Sequence, residues 1–112
     1  MKQEAFEVLF NKPMPQKLII FYEQISRLNF PHIYHFKDKP FVLEIQYYLS
    51  SKDLLESDLK KNMLAFAKTT DGNELLFNLA TNEIKILQKE DTDIDTLELK
   101  VDDILNCEIN KL

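Results

Sequence analysis

Residues 63–88 read MLAFAKTT, DGN, ELLFNL, ATNE and IKILQ around Gly72, the only glycine in the chain. Three short apolar runs lie between two turn signals, which is the sequence form of consecutive antiparallel strands. In residues 63–67 nearly every position is apolar, predicting a central strand covered on both faces. After Asp71-Gly72-Asn73, residues Leu75, Phe77 and Leu79 share one face, while Glu74 and Asn78 point the other way. Thr81-Asn82 supplies the second tight turn, asparagine being tolerant of a left-handed backbone. Ile84 and Ile86 then continue inward, with Lys85 facing water.

The flanking segments predict what packs on this sheet. Ala5, Phe6, Leu9 and Phe10 stand at helical spacing in residues 1–12, a strand being the alternative. Pro13 and Pro15 break that element, and Pro15 suits the first turn of a second helix, where its missing amide hydrogen costs nothing. This helix is expected over residues 16–27, with Leu18, Tyr22 and Ile25 on one face and Ile19 and Phe21 widening it. Asn29 to Pro31 stops it, because the residue before proline disfavours helical dihedrals. A short strand over 32–36 and a turn over 37–40 follow. Phe41, Leu43, Ile45 and Tyr47 then alternate with Val42, Glu44, Gln46 and Tyr48, the mark of a half-buried strand. Ser50 or Ser51 caps an expected helix over 52–61 that turns Leu54, Leu55 and Leu59 inward. An acidic loop with a short strand near 97–99 comes next, and a closing helix over 102–109 buries Ile104 and Leu105. The expectation is an α+β fold: one domain over residues 1–112, with helices packed against a single mainly antiparallel sheet.

Composition narrows the function. The chain is 45% hydrophobic and 29% charged, which is ordinary for a folded domain. Apolar runs such as residues 18–22 are too short to span a bilayer. MKQEAFEVLF lacks the features of a signal peptide, and the single cysteine, Cys107, suits a reducing compartment; a cytoplasmic location is expected. The net charge of −5 is uneven. Glu90, Asp91, Asp93, Asp95, Glu98, Asp102 and Asp103 face only Lys100, so residues 90–103 carry −6 and the remainder +1. A nucleic-acid binder needs a basic stripe instead. A basic protein partner fits.

No catalytic signature is present. His32 and His35 flank Ile33 and Tyr34, but on a strand this spacing puts the rings on opposite faces, and no third ligand follows. Asp91, Asp93 and Asp95 alternate as in a calcium loop, yet Thr96 and Asp102 stand where an EF-hand needs glycine and a bidentate glutamate. The stretch reads instead as a solvated acidic loop, with Asp91, Asp93, Asp95 and Glu98 as candidate contacts for a partner. Cys107 reads as a buried or half-buried helix residue. Ser26, Ser50, Ser51 and Ser57 lack a nucleophile elbow, and one glycine cannot build a phosphate loop or a dinucleotide fingerprint. Neither an enzyme nor a cofactor or metal is expected. Among the aromatics, one of each adjacent pair must point out of its strand, so Tyr34 or Tyr48 is the expected interface anchor.

The order of elements and several short motifs resemble the SUKH superfamily, the Smi/Knr-like domains found among bacterial toxin-immunity proteins. Met14-Pro15 stands for the family's L-P helix start, Phe66 and Asp71-Gly72 for its strand and turn, and Phe77-Asn78 for its F-D pair. The run from Lys100 through Val101, Asp102, Asp103 and Ile104 to Leu105 approximates its closing segment. The likeness spans residues 15–105; Asn29-Phe30-Pro31 replaces the usual N-G-G, and Asn78 the aspartate. It implies a non-catalytic protein that neutralises a cognate toxin, often a nuclease, by protein–protein binding. The acidic stretch would then meet a basic toxin surface, with no nucleic-acid or membrane partner. The alternative is an acidic secretion chaperone that holds an effector segment and forms an obligate dimer; otherwise a monomer is the first expectation.

Overall fold

A computed structural model describes residues 2–27, 31–49, 62–88 and 94–111. Helices α1 (Gln3–Phe10) and α2 (Gln16–Ile25) come first. Strands β1 (His32–His35), β2 (Val42–Tyr48), β3 (Met63–Thr69), β4 (Glu74–Asn78), β5 (Glu83–Leu87) and β6 (Ile94–Lys100) follow. A short helix α3 (Val101–Leu105) then leads into strand β7 (Glu108–Lys111). All pairings are antiparallel, in the order β6-β5-β4-β3-β2-β1-β7. The architecture is the expected α+β class, with a single curled, half-barrel sheet and three helices among the described residues.

Local chemistry accounts for the boundaries. Asn11 closes α1 in the left-handed region (φ 52°), its N–H donating to Glu7 O at 2.9 Å. Pro15 directly precedes α2, and its carbonyl accepts from Leu18 N (3.0 Å) and Ile19 N (3.1 Å). The buried residues of α2 are Leu18, Phe21, Tyr22 and Ile25, the i, i+3, i+4, i+7 stripe of an amphipathic helix. At the β3–β4 turn Gly72 takes φ 88°, which a β-carbon would oppose. Thr69 N–H donates to Asn73 O (2.9 Å), and the Thr69 hydroxyl donates to Asp71 Oδ1 (2.7 Å). Asn82 occupies the left-handed region (φ 62°) in the β4–β5 turn, and Asn78 Oδ1 accepts the amides of Ala80 and Thr81.

Strand β3 is the middle strand of the sheet and is buried on both faces, as its apolar run predicts. Its register shifts at Phe66: Ala65 pairs with Leu76, but Ala67 pairs with Leu75. The extra residue lets Phe66 and Ala67 both join the main core with Leu64, whereas Ala65 packs with Leu49 and Leu76 in a smaller cluster. Phe66 stacks on Phe77 with ring centroids 3.9 Å apart, and Phe21 of α2 meets both rings edge-on at 5.4 and 5.3 Å. Aromatic pairs favour these arrangements because ring faces are negative and ring edges positive.

Two expectations change. The closing helix, expected over 102–109, ends at Leu105, since residues 108–111 pair with β1 through Ile33↔Asn110 and Tyr34↔Ile109. The short strand expected near 97–99 is longer: β6 runs for seven residues, so that it contains Asp95 as well as Glu98. The expected helix over 52–61 lies outside the described residues.

The curl follows from connectivity. Seven flat strands would put β6 and β7 about 29 Å apart, at roughly 4.8 Å per step. The link from Lys100 to Glu108 consists of α3 and two further residues, and reaches at most about 20 Å. The sheet must therefore bend around the helices, and the extra residues at Gln46 and Phe66 supply the local twist. Val101 and Ile104 anchor the bridging helix in the main core, and Lys17 of α2 holds Asp102 at 2.8 Å.

Candidate functional site

The polar residues that carry chemistry meet under the first two strands. Alternation on β1 turns His32 and Tyr34 inward, each 1% exposed, and leaves His35 outside. On β2, Leu43 and Ile45 are inward, and continued alternation would turn Tyr47 in as well. The register shifts instead at Gln46: Ile45 pairs with Thr69 and Tyr47 with Lys68. That single extra residue sends Tyr47 outward, 49% exposed, and brings Tyr48 toward the core.

Tyr48 is the hub of the buried group. Its hydroxyl lies 2.6 Å from the Tyr34 hydroxyl and is also hydrogen-bonded to His32 Nε2. The His32 ring packs against both tyrosines with centroids 5.4 Å away. Burial pushes the Tyr34 phenol up to about 12, against the lowering effect of its bond to Tyr48. Burial likewise raises Tyr48, with repulsion from Tyr34 adding to it, and burial alone raises Tyr22. Beside this group Cys107 is half-buried; desolvation lifts its thiol to about 12, and its Sγ–H donates to Ile104 O at 3.1 Å. A thiol so placed stays protonated at neutral pH and is a poor nucleophile. The cluster can hold strands together, and burial favours the neutral forms of its tyrosines.

The candidate contact residues fall in different places. Asp91 and Asp93 lie outside the described residues. Asp95 and Glu98 belong to β6, at one edge of the sheet. Tyr34 is not an outward anchor, because its inward position and its bond to Tyr48 place it in the core. Tyr48 is mostly turned inward, and the outward ring on β2 is Tyr47. Sequence alternation missed Tyr47, since the displaced register at Gln46 leaves no trace in the pattern. The acidic run continues from β6 into α3, where Asp103 Oδ2 accepts the Lys100 amide at 2.8 Å. Nearby, a cleft of about 250 Å³ is bordered by Asp38, Asp103 and Glu108, and also by Lys37 and Lys39. Among the described residues no three His, Cys, Asp or Glu side chains converge to hold a metal ion, and no helix is long and apolar enough to cross a membrane.

Comparison with protein-family models, characterised proteins and solved structures returns no match.

Proposed function

We propose that this chain is a non-catalytic binding protein of the immunity type, resembling SUKH domains, which neutralises a basic toxin domain by occluding it. The observation that carries the reading is the placement of the acidic run: Asp95 and Glu98 fall on an edge strand, and Asp102 and Asp103 on the helix that follows it. The remaining chain is nearly neutral by charge count, so the net negative charge is concentrated in the segment 90–103. Opposite charge speeds encounter and orients a partner more than it adds affinity. The interior supports the same reading, because desolvation favours the protonated, neutral forms of Tyr34, Tyr48 and the half-buried Cys107.

A growth assay tests it. Expression of the gene adjoining this one should arrest growth in a test strain, and co-expression of this chain should restore it. Reversing charge at Asp95 and Glu98 (D95K, E98K) weakens the protection. A harmless neighbouring product, or arrest that the chain does not relieve, overturns the reading.

A further inference from the structure

We infer that the outer edge of β6 receives an extended, basic segment of the partner as an added antiparallel or parallel strand. This rests on the reading above that the partner is basic. The two edges of the sheet differ in a way that favours this one. Strand β7 has four residues, too few for a long ladder, whereas β6 has seven and extends about 23 Å. Along an edge strand, alternate residues direct their N–H and C=O groups away from the sheet, where another strand can pair with them.

Sheets commonly blunt such an edge with proline, with lysine, or by keeping the strand short. The sequence of β6, IDTLELK, contains no proline or glycine, and its only lysine is the last residue. Among the described residues β5 is the only strand paired with it. Before that lysine the charged residues of the strand are all acidic. Asp95 and Glu98 lie within the strand, and in the sequence it is preceded by Glu90, Asp91 and Asp93. A second copy of this chain would set acid beside acid, and like charges across a strand pair are destabilising. A nucleic-acid backbone is repelled for the same reason. An extended segment rich in lysine or arginine reverses the sign of that term and keeps the main-chain bonds, which is the chemistry of strand addition.

The test uses the full chain and two synthetic peptides. The first is an acetylated, amidated heptapeptide that alternates lysine and valine. The second has the same sequence with every backbone amide methylated, so that charge and length are kept while the ladder donors of both strand edges are lost. Expected is binding of the first peptide, with exchange of amides in residues 94–100 slowed about tenfold or more. The methylated peptide should bind about tenfold more weakly, the loss of one or two net hydrogen bonds. Charge reversal at Asp95 and Glu98 should weaken both. Equal affinity for the two peptides would mean that charge alone holds them; strand addition would then be wrong, although a basic partner would remain acceptable. Protection of β7 instead of β6, or no binding of either peptide at low salt, would also overturn the inference, and the growth assay decides the immunity reading separately.

Discussion

Replacing Tyr22, Tyr34 and Tyr48 one at a time with phenylalanine removes the same atom from three differently partnered sites. The Tyr48 hydroxyl joins Tyr34 and His32, so Tyr48→Phe deletes two hydrogen bonds and leaves the Tyr34 hydroxyl with no partner among the described residues. At about 1 kcal/mol for each net bond, with a further 1–2 kcal/mol for the orphaned group, the loss comes to about 3–4 kcal/mol. Tyr34→Phe breaks one bond and leaves Tyr48 bonded to His32, at about 1 kcal/mol. The Tyr22 hydroxyl is buried and makes no hydrogen bond among the described residues. Tyr22→Phe therefore removes a desolvation cost, and is neutral or stabilising by up to about 1 kcal/mol. Urea unfolding reads all three. With an m-value of about 1.5 kcal/mol/M, the midpoint drops by about 2–3 M for Tyr48→Phe and about 0.7 M for Tyr34→Phe, and holds or rises for Tyr22→Phe. In the Tyr48→Phe background, adding Tyr34→Phe should cost less than it does alone, because the orphaned hydroxyl leaves with it. A Tyr22→Phe loss as large as that of Tyr48→Phe, or strict additivity of the pair, would refute the network.

Further expectations concern the turns, the bridge and alkaline pH. Gly72→Ala should cost about 1–2 kcal/mol, since alanine opposes φ 88°, whereas Asn82→Gly should change the urea midpoint little. Ile104→Ala should destabilise by about 2–4 kcal/mol, by opening a cavity where the bridging helix enters the core. The buried phenols favour their protonated forms in the folded state. The unfolded chain gives up its protons first, so stability is complete below about pH 10 and declines as pH rises toward about 12. Phenolate absorbance from the buried tyrosines should therefore grow together with the loss of circular dichroism. Native Cys107 should react slowly with alkylating reagents at neutral pH, and unfolding should restore its reactivity.

What could be read from the sequence was local. The turns at Gly72 and Asn82 announce themselves by residue type, and α2 by its apolar spacing, because each depends on near neighbours in the chain. The errors arise where distant pairing decides the outcome. Residues 108 and 109 continue a helical pattern well enough on their own, yet they form a strand because β1 lies alongside. The facing of Tyr47 and Tyr48 depends on one extra residue at Gln46, and that shift is defined only against β3. Tyr34 finds its hydrogen-bond partner fourteen positions away, at Tyr48. Of the acidic candidates, Glu98 falls in the short strand expected near 97–99, whereas the extension of β6 back to Ile94, which takes in Asp95, depends on pairing with β5.

The strand order also sets a timetable for folding. Strands β1 to β6 follow one another across the sheet as a meander, so each can pair with its predecessor across a connection far shorter than the one that joins β1 to β7. The β1–β7 ladder is the exception, joining residues as far apart as Ile33 and Asn110. Closing a loop of that length costs roughly 4 kcal/mol in chain entropy, against far less for a hairpin. The meander should therefore assemble first, with the outer side of β1 left open until α3 crosses and β7 arrives. During that interval β1 is an unguarded edge, and its neighbours in a crowded solution are other copies of the same unfinished sheet. Slow docking of four residues thus sets how long the chain is exposed to misassembly, even though the sheet that results is mostly local.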